Sequence, residues 1–127
     1  MMIDGLFNNA GYLTAKKLLD ATVLRHDAIA ANLANLETPN YKRLDLAPAF
    51  STELRQALAT GDLTQLTAMQ PKLEVDPTAI ASHDGNTVSM ESELLQLQQN
   101  SVAHAVESQL ITASLLRLRT AITGRSL

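Results

Sequence analysis

Three histidines, His26, His83 and His104, are the side chains in this chain best suited to acid–base work or to metal ligation. None has a His-x-x-x-His or carboxylate neighbour at the spacing a metal site needs. His83-Asp84 is a lone pair on a turn signal, His83-Asp84-Gly85-Asn86, where Asp-Gly is the hairpin-type dipeptide. Cysteine is absent, which excludes a thiolate nucleophile, a thiolate metal site and a disulfide framework. No glycine-rich loop follows a strand signal, and no serine stands in a nucleophile elbow. Glu91 and Glu93 are better explained by the first turn of a helix, where the macrodipole favours negative charge, than as an acid/base pair. Lys16-Lys17 and Lys42-Arg43 are short basic pairs that read as solvated faces. These residues predict no catalytic group, no cofactor and no metal; the chain does not read as an enzyme.

The chemistry that remains is hydrogen bonding, and it concentrates in Ala30-Ala31-Asn32-Leu33-Ala34-Asn35-Leu36-Glu37-Thr38-Pro39-Asn40-Tyr41-Lys42-Arg43. The block begins as helix. Pro39 then removes a backbone donor and pushes Thr38 into extended geometry, so the helix stops just before it. Thr38-Pro39-Asn40 is a turn signal, and Tyr41-Lys42-Arg43 starts an extended segment. Asparagine is a mediocre helix former that bonds to nearby backbone. Asn35 is therefore placed to fold its amide onto the orphan carbonyls at the helix end or onto the chain beyond Pro39. A capped helix terminus is the simplest account of any one of these residues.

The elements that position this block are long helices. Hydrophobic residues make up 46% of the 127, yet aromatics only 3%, which suits aliphatic helix seams better than an aromatic core. Residues 1–11 hold Gly5, Asn8, Asn9 and Gly11 and predict a flexible lead-in. Over 12–36 the stripe Tyr12, Ala15, Leu19, Thr22, His26, Ile29, Leu33, Leu36 steps by three and four, predicting a helix. Residues 37–88 form the signature turn and an irregular middle broken by Pro48, Gly61, Pro71 and Pro77. That middle contains one short helix over 51–60 capped by Ser51, an undecided extended piece at 73–75, and stretches expected to be partly disordered. Over 89–123 the stripe Met90, Leu94, Leu97, Ser101, His104, Ser108, Ile111, Leu115, Leu118, Ile122 predicts a second long helix. Ser89 is its N-cap, Arg117, Arg119 and Arg125 lie toward its far end, and Gly124 closes it.

The expected fold class is therefore mainly α: long N- and C-terminal helices pairing as an antiparallel coiled-coil-like hairpin around a short irregular middle. Each stripe is interrupted by polar residues near its centre. Antiparallel pairing brings His26 close to His104, and the pair is expected to form a buried polar layer that fixes register. The other reading places those side chains toward solvent or a neighbouring subunit.

Charge and hydropathy exclude several partners. The net charge is −3 with both signs interspersed, which argues against nucleic acid. No window approaches 18 apolar residues, so no spanning helix is expected. The segment Met1-Met2-Ile3-Asp4-Gly5-Leu6-Phe7 lacks the basic and long apolar regions of a cleavable secretory signal. Taken alone, these features predict a cytoplasmic protein.

The block at Ala30–Arg43 resembles the N-terminal signature of the flagellar basal-body rod family, Ala-Asn-x-Ala-Asn-x-x-Thr-Pro-x-Tyr-Lys/Arg. It matches at Ala31, Asn32, Ala34, Asn35, Thr38, Pro39, Tyr41 and Lys42, positions the resemblance marks as family signature and assembly residues. Asp84-Gly85-Asn86-Thr87-Val88-Ser89-Met90-Glu91-Ser92-Glu93 resembles the Gly-Asn-x-Val-Asp-x-x-x-Glu start of the family's C-terminal helix, with Ser89 in place of the usual acidic residue. Similarity covers 12–45 and 84–125. The short length, Gln99-Asn100, and the ending Leu118 to Arg125 resemble a proximal rod component. The Ser-Arg-x-Tyr-Glu-Ala-Asn-like run of other small rod proteins is replaced by Ser101 to Glu107.

The resemblance implies a structural subunit of the flagellar basal body, in the rod that crosses the periplasm and carries motor torque. It implies self-association within the helical rod, other rod subunits and the rod–ring adaptor as neighbours, and export without a cleaved signal by the flagellar type III machinery. A long hairpin buries too little surface alone, so the free chain is expected to be partly folded and to fold on assembly. Two alternatives stay open at this point: another short rod subunit, and a cytoplasmic helical adaptor or export chaperone.

Overall fold

A computed structural model describes residues 9–124. Helix α1, Ala10–Ala34, starts at Ala10 instead of Tyr12 because Asn9 caps it, its side-chain oxygen accepting from Gly11 N at 2.8 Å. Residues 1–8 of the expected flexible lead-in lie outside the described residues. Helix α4, Met90–Thr123, ends at Gly124, whose φ of 64° and N–H bond to the Thr120 carbonyl make a left-handed cap. Ser89 stands at the N-cap position but its hydroxyl makes no capping bond, a departure from the expected cap. Arg125 lies outside the described residues.

Between the two helices the chain is more regular than its sequence suggests. Strand β1, Leu44–Leu46, pairs antiparallel with β2, Leu73–Val75, with Leu44 opposite Val75 and Leu46 opposite Leu73. Helix α2, Ala49–Thr60, begins before Ser51 because Pro48, with φ already near −64°, serves as its first cap. Helix α3, Leu63–Ala68, was not expected; Asp62 caps it by accepting from Gln65 N at 3.0 Å. The buried apolar cluster is Leu13, Ala21, Phe50, Leu54, Ala57, Leu66 and Met69, with Tyr12, Leu18 and Leu46 packed against it. The middle, read as irregular and partly disordered, thus supplies most of this cluster. Its amphipathic turns are too short to announce themselves until α1 offers them a surface.

Helices α1 and α4 pair antiparallel, as the fold class requires: contacts rise along α1 while they fall along α4, from Thr22 against Glu107 to Asn32 against Glu93. Their seam differs from the expected one. The buried residues of α4 are Glu93, Asn100 and Glu107, spaced seven apart, and none is apolar. The apolar stripe lies beside this seam: Met90, Leu94, Ser101, His104, Leu115 and Ile122 are exposed, while Leu97, Ser108, Ile111 and Leu118 are half-buried. A seven-residue repeat draws both stripes along the helix equally well. It does not say which one meets α1.

Candidate functional site

The signature residues build a hydrogen-bonded joint where α1 ends. Asn32, on the last turns of α1, is fully buried. Its carboxamide pairs with the backbone of Leu44 as a neighbouring strand would, accepting from Leu44 N at 2.9 Å and donating to Leu44 O at 2.8 Å. The same amide donates to Glu93 Oε2 at 3.2 Å, and the Tyr41 hydroxyl reaches Asn32 Oδ1 at 3.4 Å. One side chain therefore holds α1, β1 and α4 together. Replacing it by any apolar residue leaves the Leu44 backbone groups unpaired.

Asn35 folds back on its own helix, donating to the Ala31 carbonyl at 2.8 Å, while its oxygen accepts from the Thr38 hydroxyl at 3.1 Å. Ala31 is half-buried, and Ala34, Thr38, Pro39 and Lys42 are exposed. The turn after Pro39 puts Asn40 at φ 60°. Asn40 N donates to Asp84 O, Thr87 N to Tyr41 O, and Lys42 Nζ to Gly85 O at 3.0 Å, so the signature turn lies against the 84–88 turn. Gly85 is required there: its φ is +81°, and a Cβ would collide with Asn40 Oδ1.

Three residues outside the eight signature positions, Asn86, Arg43 and Glu93, complete the joint. Asn86 is buried, and its amide nitrogen donates to the carbonyls of Asn35, Leu36 and Thr38 at 2.8, 3.1 and 2.9 Å. The Asn35 and Thr38 carbonyls also accept from Thr38 N and Tyr41 N within the turn, so a loop from the far end of the sequence ties together the carbonyls of the turn that ends α1. Arg43 is buried too, which corrects the reading of Lys42-Arg43 as a solvated pair. Its guanidinium bonds Glu93 Oε1, Asp45 Oδ2 at 3.0 Å and Asp76 Oδ2 at 2.8 Å, and Asp45 also meets Arg25 at 3.3 Å. Burial pulls the Arg43 guanidinium down, but its hydrogen bonds to Glu93 and Asp45 outweigh this and leave it above its ordinary value. Two hydrogen bonds from Thr78, and then Arg43, hold Asp76 below the usual carboxylate range. Glu93, expected to serve the helix dipole, is fully buried and works instead as the partner of Arg43 and Asn32. The missed signal was its seven-residue spacing from Asn100 and Glu107.

Further along the seam, Asn100 donates to the Thr22 carbonyl at 2.8 Å and the Thr22 hydroxyl donates to Glu107 Oε2 at 2.8 Å. Burial pushes the Glu107 carboxyl up, against the opposing pull of Thr22 and His104. His26 and His104 do come to one place, the rim of a shallow pocket also lined by Thr22, Val23, Asn100 and Ser101. Both imidazoles are exposed, however, so the buried polar layer is not theirs. It consists of Thr22, Asn100 and Glu107, because the seam runs along the neighbouring stripe. Lys17, also read as solvated, is buried and donates to the Met69 carbonyl at 2.6 Å, tying α1 to the end of α3. His83 remains exposed on its turn. Among the described residues, no three His, Asp or Glu side chains converge as a metal site would require, and no helix is long and apolar enough to cross a membrane.

The arrangement suits mechanical connection: a helix end clamped by buried, mutually satisfied polar groups, with apolar helix surface left beside it. No protein-family model matches the chain. Curated proteins do. The chain is 31% identical over 113 residues to the flagellar basal body rod protein FlgB of Aquifex aeolicus (strain VF5), covering 87% of this chain and 91% of that one. It is 31% identical to FlgB of Cereibacter sphaeroides (strain ATCC 17029 / ATH 2.4.9), covering 79% and 84%. It is 29% identical to FlgB of Escherichia coli (strain K12), covering 81% and 84%. With such likeness spanning both long helices and the middle between them, the chain belongs to the flagellar basal body rod protein FlgB family.

Proposed function

We propose that this protein is a structural subunit of the proximal rod of the flagellar basal body, polymerising with other axial proteins to transmit motor torque across the periplasm. The observation that carries the proposal is the joint. Asn32, Asn35, Thr38, Tyr41 and Lys42 of the signature, with Asn86, Arg43 and Glu93, lock the end of α1 to both the β-pair and α4. A load applied to one helix then reaches the other through buried, charge-assisted hydrogen bonds, which are the stiffer kind. Ala34, Thr38 and Pro39 are exposed on the joint and Ala31 is half-buried, which supports assigning this surface to a neighbouring subunit. Subunits stacked with unlike patches in contact build an open helical assembly.

The same reading places other rod subunits and the rod–ring adaptor as neighbours and makes the chain a substrate of the flagellar type III export machinery, folding as it assembles. The exposed apolar residues of α4, Leu94, Leu95, Val102, Val106, Leu110, Leu115 and Leu116, support it, since a helix so covered gains stability from partners. The test is made on cells. Hook–basal bodies are extracted with detergent and analysed by mass spectrometry, and the gene is deleted. The expected result is stoichiometric co-purification and loss of external flagella on deletion. Intact basal bodies lacking the chain, with the protein in the cytoplasmic fraction, would instead make it a helical adaptor or chaperone.

A further inference from the structure

The apolar stripe of α4 is left uncovered because the polar stripe beside it faces α1. Met90 is 56% exposed and Ile122 71%, and Leu94 and Leu115 are also exposed, with Leu97, Ile111 and Leu118 half-covered. Its positions alternate by four and three along the helix, a pattern suited to packing against another helix with the same repeat. Helix α1 is already engaged through Thr22 and Asn32 on the adjacent stripe and through Leu13 and Ala21 on the core. Helix α4 itself carries the repeat.

Two features select the occupant and its direction. First, the stripe is apolar toward both ends and polar near its middle. Turned end for end against itself, Met90 meets Ile122, Leu94 meets Leu118 and Leu97 meets Leu115, while His104 meets Ser108 at a polar centre flanked by Ser101 opposite Ile111. A polar position in an otherwise apolar seam fixes register. Second, the first turn of α4 holds Glu91, while Arg117 and Arg119 lie exposed near its end. An antiparallel pair sets acid beside base at both ends and opposes the two helix dipoles; a parallel pair sets like charges together.

We propose that two copies of this chain associate in solution through α4, antiparallel and two-fold symmetric, burying the stripe from Met90 to Ile122. Such an isologous contact closes on itself and does not propagate. It therefore occupies apolar surface that a growing rod would otherwise use, and gives a closed form distinct from the polymer. The inference does not depend on the rod assignment, because it concerns the purified chain alone.

The absence of cysteine makes the test direct. Full-length Leu97→Cys and Leu115→Cys chains carrying different tags are mixed and oxidised, and sedimentation is run on the unmodified protein. The expected outcome is a dimer whose dominant cross-link joins Cys at 97 in one chain to Cys at 115 in the other. Leu115→Glu, which affects both halves of a two-fold contact, should weaken the dimer by roughly a hundredfold. Val106→Glu, on an exposed position off the stripe, should leave it unchanged and controls for folding. A monomer at micromolar concentration, cross-links of 97 to 97, or equal damage from Val106→Glu overturns the proposal. A monomer result would assign the stripe to a different subunit, leaving the basal-body experiment unaffected.

Discussion

Arg43→Met tests whether the joint is an electrostatic clamp or merely a well-packed corner. Methionine keeps an apolar stem of similar reach but removes the bonds to Glu93, Asp45 and Asp76. Their losses are unequal. Asp45 keeps Arg25 at 3.3 Å, Asp76 keeps both hydrogen bonds from Thr78, and both carboxylates are partly exposed, so each should contribute less than about 1 kcal/mol. Glu93 is different. It is 0% exposed and would retain only the Asn32 amide at 3.2 Å. Stranding one member of a buried pair costs about 3–5 kcal/mol, a large part of the roughly 5–15 kcal/mol that holds a small domain together. Urea unfolding followed by circular dichroism should show a loss of that size at neutral pH. Adding Glu93→Gln should recover about 2 kcal/mol of it, because the stranded charge is gone. The pH dependence tests the Asp76 arm of the clamp. In the native protein, Asp76 is held below its ordinary value and contributes stability above the unfolded carboxylate range, lost as the pH falls through its folded value. A loss under about 1 kcal/mol, or no recovery in the double variant, would refute the clamp.

Other perturbations probe the remaining parts. Asn86→Ala removes the side-chain donor shared by the carbonyls of Asn35, Leu36 and Thr38 and should cost about 1–3 kcal/mol in thermal unfolding, with Asn86→Asp worse because its carboxylate faces the same oxygens. Gly85→Ala should cost about 1–3 kcal/mol through its positive φ and the clash with Asn40, and Asn40→Gly in the same chain should return part of this. Glu107→Gln should stabilise the seam near pH 7 by about 1 kcal/mol. The folded carboxyl is raised by burial, so its penalty grows as the pH rises through the window above its ordinary value and vanishes below it. Urea midpoints at neutral and acid pH check this, and a loss of stability at pH 7 would count against it. Helicity of the dilute chain should fall short of the structure's and rise with concentration, as measured by circular dichroism across a dilution series; concentration-independent full helicity would show that α4 needs no partner.

The sequence by itself determined the two long helices, their antiparallel pairing, the end of the first helix ahead of Pro39 (at Ala34, two residues short of the expected Leu36) and the polar character of the block around Asn32 and Asn35. These follow from local rules: a repeat of three and four, a missing donor at proline, and side chains that bond to nearby backbone. It also placed His26 and His104 near one another, since antiparallel pairing of two helices leaves little freedom in register. Only the tertiary structure decided which stripe of α4 faces α1, because both stripes share the same period and hydrophobicity favoured the wrong one. Likewise it alone showed Arg43, Glu93, Asn86 and Lys17 to be buried partners. Each looks like an ordinary surface residue until elements distant in sequence bring a carboxylate, a guanidinium or a backbone carbonyl within reach. Desolvation and its compensation are properties of that arrangement, and no local pattern records them.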